Sequence, residues 1–444
     1  MESKFKYVKV LDGECNKEVE NPAIKFPFKG DNFQRHSFYC ISKDENILVT
    51  AHTGSGKTAV AVYGIAHCIR KGKRAVYTSP IKALSNQKYK EFKELFEVKF
   101  SEDIGRPVSV GLMTGDNKIN PDADCVIMTT EILRNALYDI GDKGRTKKDE
   151  YFEDNFINSI GCVVFDEVHY INDKDRGHVW EETIILLDSS INLIMLSATI
   201  DRAKEFANWI GSNNEKIVNL IPTNHRVVPL EHFMYSDNNL YKILSKKEQF
   251  YDNNFDEACR VQKEIEKNRK KPGNTYLINE SVKFLKDRNL LQAIFFTFSR
   301  KNCQKYAKMI KINLTTPEES IEIERIFRKY MHKYEEDYRR IPQYNTIKDL
   351  VVKGISFHHS GLLPILKEIV EILFQMGLIK VLFATETFAV GVNMPTRTIV
   401  FTEIEKHSNE GRRLLRTEEY KQMSGRAGRR GLDKYGTVII LPLY

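Results

Sequence analysis

Ala51-His-Thr-Gly-Ser-Gly-Lys-Thr58 is the stretch on which the reading of this chain turns. The apolar, β-branched run Ile47-Leu-Val-Thr50 precedes it and reads as a buried strand. Ala59-Val-Ala-Val-Tyr-Gly-Ile-Ala66 follows with helical spacing. Strand, glycine-rich turn and helix in that order make a phosphate cradle. Gly54 and Gly56 let successive backbone N–H groups turn inward, and the helix start adds its positive end. In such a cradle Ala51, His52, Thr53, Gly54, Ser55 and Gly56 wrap the phosphates, and Lys57 reaches the outer ones. The Thr58 hydroxyl offers a magnesium ligand. Ala51 stands where the usual pattern has its first glycine, and a turn that binds nothing is the alternative reading.

The chain has 444 residues, enough for two or three domains and sizeable cores. With 41% hydrophobic and 29% charged residues it has an ordinary globular composition. A net charge of +8 leans weakly toward a polyanionic partner. The seven cysteines are scattered without metal-ligand spacing, so they read as thiols in a reducing compartment rather than a zinc site or a disulfide framework. No apolar run reaches membrane-spanning length, and the start Met1-Glu-Ser-Lys4 is too polar for a secretory signal. The expectation is an intracellular protein, cytoplasmic or nuclear. Heavy use of Asn, Lys and Ile fits an AT-rich genome, such as that of a virus or a parasite.

Residues 1–25 are charged and non-periodic and read as a mobile arm. Over residues 26–235, apolar runs alternate with helical stretches: Arg74–Ser79, Cys125–Thr129, Cys162–Asp166 and Leu193–Ser197 are the clearest strands. Their continuous apolarity fits a parallel sheet covered on both faces. Asp142–Asn155 interrupts the pattern as a charged loop, residues 236–290 read as a connector or small helical insertion, and the alternation resumes over residues 291–444. The fold class is α/β: two domains, each a mostly parallel sheet flanked by helices.

Asp166-Glu-Val-His169 ends a strand. Ligands of open parallel sheets bind at the carboxyl ends of strands, so Asp166 is placed to hold magnesium and Glu167 to orient and deprotonate the attacking water. A polar helix cap is the bland alternative. Together with Leu196-Ser-Ala-Thr-Ile200 and Gln422-Met-Ser-Gly-Arg-Ala-Gly-Arg-Arg-Gly431, these motifs make the chain resemble a superfamily 2 DExH-box helicase. Four further stretches narrow the resemblance to the superkiller-type RNA helicases that feed the RNA exosome: Asp175-Arg-Gly-His-Val-Trp-Glu-Glu182, Pro229-Leu-Glu-His232, His358-His-Ser-Gly-Leu-Leu-Pro364 and Ala384–Pro395.

The resemblance implies two RecA-like domains that close on ATP and magnesium and move along RNA from the three-prime end, with RNA-decay machinery as a partner. It implies that Gln34 reads the adenine edge, Phe28 or Phe26 packs on the ring, and Gly391 belongs to the nucleotide site. His169, Ser197 and Thr199 would couple the nucleotide to the strand, with Gln422 meeting His169. Arg426 and Arg429 would be arginine fingers, because guanidinium stays charged and offers forked donors; alone, their stretch reads equally as a basic loop. Pro80, Lys82, Gly115, Thr130, Arg134, Ser299, Arg300, His359 and Thr385 match RNA-backbone positions, though each reads as well as a cap or surface polar group. Glu403–Arg416 falls where relatives place a strand-separating hairpin. The sequence ends at Tyr444, without the family's winged-helix, ratchet and arch segments, so efficient unwinding of long duplexes is not expected of it.

Overall fold

The computed structural model describes residues 5–52, 54–80, 82–115, 117–141, 156–172, 176–198, 200, 202–223, 226, 228–268, 273–332, 335–391, 394, 396–408, 411–429 and 431–441. Thr53, Thr199 and the loop expected over Asp142–Asn155 lie outside them. The chain divides into two compact units, Met1–His225 and Arg226–Tyr444.

Among the described residues the first unit is built on a sheet of nine strands: β1 (Val8–Val10), β2 (Asn46–Ala51), β3 (Arg74–Ser79), β4 (Val110–Met113), β5 (Lys118–Ile119), β6 (Cys125–Thr129), β7 (Ile160–Phe165), β8 (Asn192–Ser197) and β9 (Val218–Thr223). Their order across the sheet is β1-β9-β2-β8-β7-β3-β6-β4-β5. Pairing is parallel except between β4 and β5. Strict alternation divides the core between the two faces. Ile47, Val49, Cys162, Val164, Ile194 and Leu196 pack into one apolar layer, whereas Leu48, Val163, Phe165, Leu193 and Met195 pack into the other. Runs that are apolar throughout are therefore what a sheet covered on both faces requires.

The second unit has a sheet of seven strands: β10 (Leu230–Ser236), β11 (Asn239–Leu244), β12 (Ala293–Phe296), β13 (Ile355–His358), β14 (Val381–Ala384), β15 (Thr398–Phe401) and, after a separate hairpin of β16 (Glu405–Ser408) and β17 (Gly411–Leu414), β18 (Gly436–Ile440). The order is β11-β10-β18-β15-β12-β14-β13, and only β10 and β11 pair antiparallel within it.

Three expectations about organisation need correcting. The arm is not loose throughout: β1 lies parallel along β9, Val8 opposite Val218, and covers an edge that would otherwise expose unpaired backbone groups. The division between units falls before residue 226 rather than after 235, because Leu230–Ser236 pairs with β18 of the second sheet. Residues 236–290 are no separate connector. Their strand β11 closes an antiparallel pair with β10, Asn254 of the helix Asp252–Asn268 donates to the Lys242 carbonyl at 2.9 Å, and Ile278, Val282 and Leu285 of the helix Asn274–Asp287 enter the core. Polar composition identified the solvent side of these helices, not their buried stripe.

Candidate active site and nucleic-acid interface

In the first unit β2, β8 and β7 are consecutive neighbours, and their carboxyl ends deliver the glycine-rich loop, Ser197 and Asp166–Glu167. The loop turns through Gly54 and Gly56 at φ +81° and +95°, and Gly56 caps the helix Lys57–Arg70 in the left-handed conformation. A side chain at Gly56 would strain that turn. Lys57 Nζ donates to the carbonyls of Ala51 and His52, the latter at 3.3 Å, so the loop's own backbone holds the ammonium beside the cradle. The buried Ser55 hydroxyl has no hydrogen-bond partner among the described residues, an exception to the usual pairing of buried polar groups.

Asp166 is held from two sides: its Oδ1 accepts the Glu167 N–H at 3.0 Å and its Oδ2 accepts the Tyr77 hydroxyl. Burial, with Glu167 alongside, raises its carboxyl above the usual carboxylate range, while Lys88, Tyr77 and Lys57 pull the other way. Glu167 adopts a left-handed backbone at φ +53°, uncommon for a residue with a side chain and the kind of strain that collects at functional turns. Its Oε2 lies 3.4 Å from His169 Nδ1, and His169 in turn lies 3.4 Å from the Ser197 hydroxyl. Burial lowers the His169 pKa against the pull of Glu167, which favours the neutral ring. A contiguous chain of contacts thus runs from the acid pair Asp166–Glu167 to Ser197.

Gln34 sits differently from the expectation. It is only 2% exposed; its Oε1 accepts the Asp31 N–H at 2.9 Å and its Nε2 donates to the Gly56 carbonyl at 3.0 Å. It ties the helix Asn32–Ser42 to the glycine-rich loop, with both ends of its amide engaged. Phe28 is the exposed end of an aromatic stack that continues through Phe26 and Phe38 to Tyr63.

The other expected backbone contacts collect at three neighbouring strands in each unit. Pro80 and Lys82 follow β3, Thr130 follows β6, and Gly115 follows β4, in the order β3-β6-β4. A Cβ built on Gly115 would stand 3.0 Å from Lys82 Nζ. Arg134 pairs with Glu182 at 3.5 Å, and Arg176 bridges Glu131 and the Pro80 carbonyl. Thr130 is fully buried, and its hydroxyl has no partner among the described residues. In the second unit Ser299 and Arg300 follow β12, Thr385 follows β14 and His359 follows β13, and β12-β14-β13 are again neighbours. The Ser299 hydroxyl caps the helix Arg300–Met309 by accepting from Asn302 N, the bland role its position allowed. His359 contacts Gln304 at 3.0 Å, and burial holds its pKa down at about 4. Gly391 ends the helix Glu386–Gly391 that follows β14.

The arginine stretch is tightly held. Arg429 grips both carboxylate oxygens of Asp433, at 2.8 and 3.0 Å, and Arg426 is 5% exposed. Gln422 lies on the helix Thr417–Ser424. Arg226, which no sequence pattern marks, donates to the carbonyls of Gly425 and Ala427 at 2.7 and 2.9 Å and so clamps the loop that carries Arg426. Burial lowers its pKa to about 10. The hairpin position is occupied by β16 and β17, whose Lys406 and Arg413 both donate to Glu419 of the helix Thr417–Ser424; these partners, against its burial, hold the Glu419 pKa at about 2. Among the described residues no cluster of His, Cys, Asp and Glu could hold a metal ion, and no helix is long and apolar enough to cross a membrane.

The DEAD/DEAH box helicase family matches residues 31–206, and the helicase conserved C-terminal domain matches residues 344–431. The chain is 42% identical to mouse exosome RNA helicase MTR4 over 95% of this chain and 39% of that protein. It is 40% identical to the Arabidopsis thaliana DExH-box ATP-dependent RNA helicase DExH9, covering 95% of this chain and 42% of that protein. With the antiviral helicase SKI2 of Saccharomyces cerevisiae it shares 39% identity over 95% and 36% of the two chains. The chain thus spans about two fifths of the length of these relatives. The viral origin suggested by composition is not borne out: these relatives come from an animal, a plant and a yeast.

Proposed function

Because this chain belongs to the DExH-box helicases of the superkiller type, two RecA-like domains in tandem, we propose that it is an ATP-dependent RNA helicase or translocase of RNA processing or decay. The observation that carries the reading is the convergence, at three adjacent strand ends, of a phosphate loop, a buried acid pair and a serine joined to that pair through His169. In this reading Lys57 and the loop backbone bind the phosphates, and Glu167 takes the proton of the attacking water. Arg426 and Arg429 act on the γ-phosphate, where developing charge gains most from a fixed guanidinium.

The donor set suits magnesium. Thr58 and Asp166 supply hard oxygens, and a lysine ammonium, that of Lys88, already stands 3.4 Å from the Thr58 hydroxyl. Magnesium bound there would neutralise phosphate charge. Gln34 acts on the nucleotide through the phosphate loop it braces, and Phe28 offers a ring face for the base. Lys82, Gly115, Thr130, Arg134, Ser299, Arg300, His359 and Thr385 serve a sequence-independent grip on the RNA backbone. Travel from the three-prime end, action alongside RNA-decay machinery, and a place in the cytoplasm or nucleus belong to the same proposal.

The test is ATP hydrolysis by the full chain with saturating single-stranded RNA, with DNA of matched sequence, and with neither. The expected result is stimulation by RNA exceeding that by DNA. Stimulation by DNA alone would move the assignment to a DNA helicase of the same superfamily; RNA binding without turnover would leave a clamp.

A further inference from the structure

Behind the two oxygen donors of the first unit lies a layer that the reading above leaves without a role. Tyr77, buried in β3, hydrogen-bonds Asp166 through its hydroxyl and meets the Phe92 ring edge-on, 5.2 Å between centroids. Lys88, on the helix Lys82–Phe92, passes over the same ring with its ammonium 5.9 Å from the centroid. The residue is 4% exposed. Its Nζ donates to Glu91 Oε2 at 2.7 Å and to Thr58 Oγ1 at 3.4 Å.

Withdrawing an ammonium from water is unfavourable unless neighbouring groups compensate it. Glu91 compensates in part, from a half-exposed position at the rim. The remaining contact is with a residue that the nucleotide-site reading assigns to the metal. A lysine ammonium and a hydrated divalent cation compete for such a location, since like charges repel strongly where solvent is sparse.

We propose that Lys88 is a positioning residue that stands in for the divalent cation. Without metal, its ammonium holds the Thr58 hydroxyl and offsets the negative charge around Asp166. With metal bound, the ammonium gives up Thr58 and stays on Glu91 alone. Tyr77, anchored on the same Phe92 ring, keeps the Asp166 carboxylate oriented in both conditions. The inference rests on the nucleotide-site reading, and it adds a built-in competition that tunes how strongly nucleotide binding depends on magnesium.

The experiment measures the dissociation constant of a fluorescent ADP analogue for the full chain, once in magnesium and once in EDTA, and takes the ratio of the EDTA value to the magnesium value. Lys88→Met keeps the stem and removes the charge, so metal-free binding weakens while the metal binds unopposed. The ratio should rise about tenfold, the scale of one partly screened charge. Glu91→Gln removes the group that draws the ammonium away, so the ratio should fall. Lys88→Arg should stay near wild type, and in EDTA the Lys88→Met protein should melt below wild type by more than it does in magnesium. Equal ratios in wild type, Lys88→Met and Glu91→Gln would overturn the proposal. If Lys88→Met does not fold by circular dichroism, Glu91→Gln alone decides, and an unchanged ratio there overturns it. A wild-type chain that binds no nucleotide would overturn the site reading and this inference together.

Discussion

The two units place their candidate residues on similar sheets but hold them in opposite ways. In the first, the groups assigned to phosphate sit on backbone: Lys57 rests on the carbonyls of its own loop, and the glycines turn through left-handed conformations that need no partner. In the second, the arginines are held by side chains. Asp433 takes Arg429 in a two-point grip, and Arg226 fixes the loop around Arg426. A backbone cradle is ready for an anion as it stands. A guanidinium in a bidentate ion pair must exchange one carboxylate for one phosphate, which makes its use conditional on the nucleotide.

The largest expected effect tests that contrast directly. Arg429→Ala should lower the RNA-saturated hydrolysis rate by roughly 10³–10⁵, the scale of an arginine finger, with nucleotide affinity little changed. Asp433→Asn keeps the guanidinium but loosens it, and should fall between that variant and wild type. Steady-state kinetics alongside equilibrium nucleotide binding separate the cases; an unchanged rate for Arg429→Ala would make the Asp433 pair a purely structural contact and erase the difference between the units.

Glu167→Gln should slow hydrolysis by about 10²–10⁴, the range of a general base, while nucleotide still binds and RNA dissociates more slowly. Lys57→Ala should instead weaken nucleotide binding as well, because its contact exists before the reaction begins. Wild-type turnover by Glu167→Gln would remove the base from this strand end.

RNA binding sharpens the comparison on the strand side. Each phosphate neutralised on a single strand contributes about −0.7 to the slope of log affinity against log salt. Lys82→Ala should reduce the slope by about that amount. Arg134→Ala should reduce it less, since Glu182 already engages that guanidinium. Equal changes from both variants would mean that the Glu182 pair opens on binding.

The smallest effect concerns acid stability of the second unit. Burial lowers the pKa of His232 and of His359 from 6.5 to about 4. An unfolded chain takes up protons near pH 6.5 that the folded unit refuses until about pH 4, so its stability should fall as pH drops through that window. Thermal melting between those limits measures it, and His232→Gln should flatten the dependence. A melting temperature that rises on acidification would contradict the burial of both rings.

The elements bound by local rules are legible in the residues alone. Continuous apolar runs foretold two-sided burial of β2, β3, β6, β7 and β8, and the glycine spacing foretold the cradle, because both depend on neighbours in the chain. The hairpin of β16 and β17 is harder to read, since its opposed Lys406 and Arg413 are charged and pair with Glu419 of the next helix, which leaves no apolar alternation.

Contacts between segments far apart in the chain settle the remainder. Val8–Val10 is a strand because the edge of β9 lies open to it, and Leu230–Ser236 belongs to the second unit because β18, two hundred residues later, pairs with it. Gln34 braces the glycine-rich loop because folding brings the Gly56 carbonyl to its amide. Tyr77, Lys88 and Arg226 carry no motif; their partners, Asp166, Thr58 and the Gly425 carbonyl, are distant in sequence. Residue type and spacing encode which groups can do chemistry, but the field and the contacts that orient those groups arise only where separate strands and helices meet.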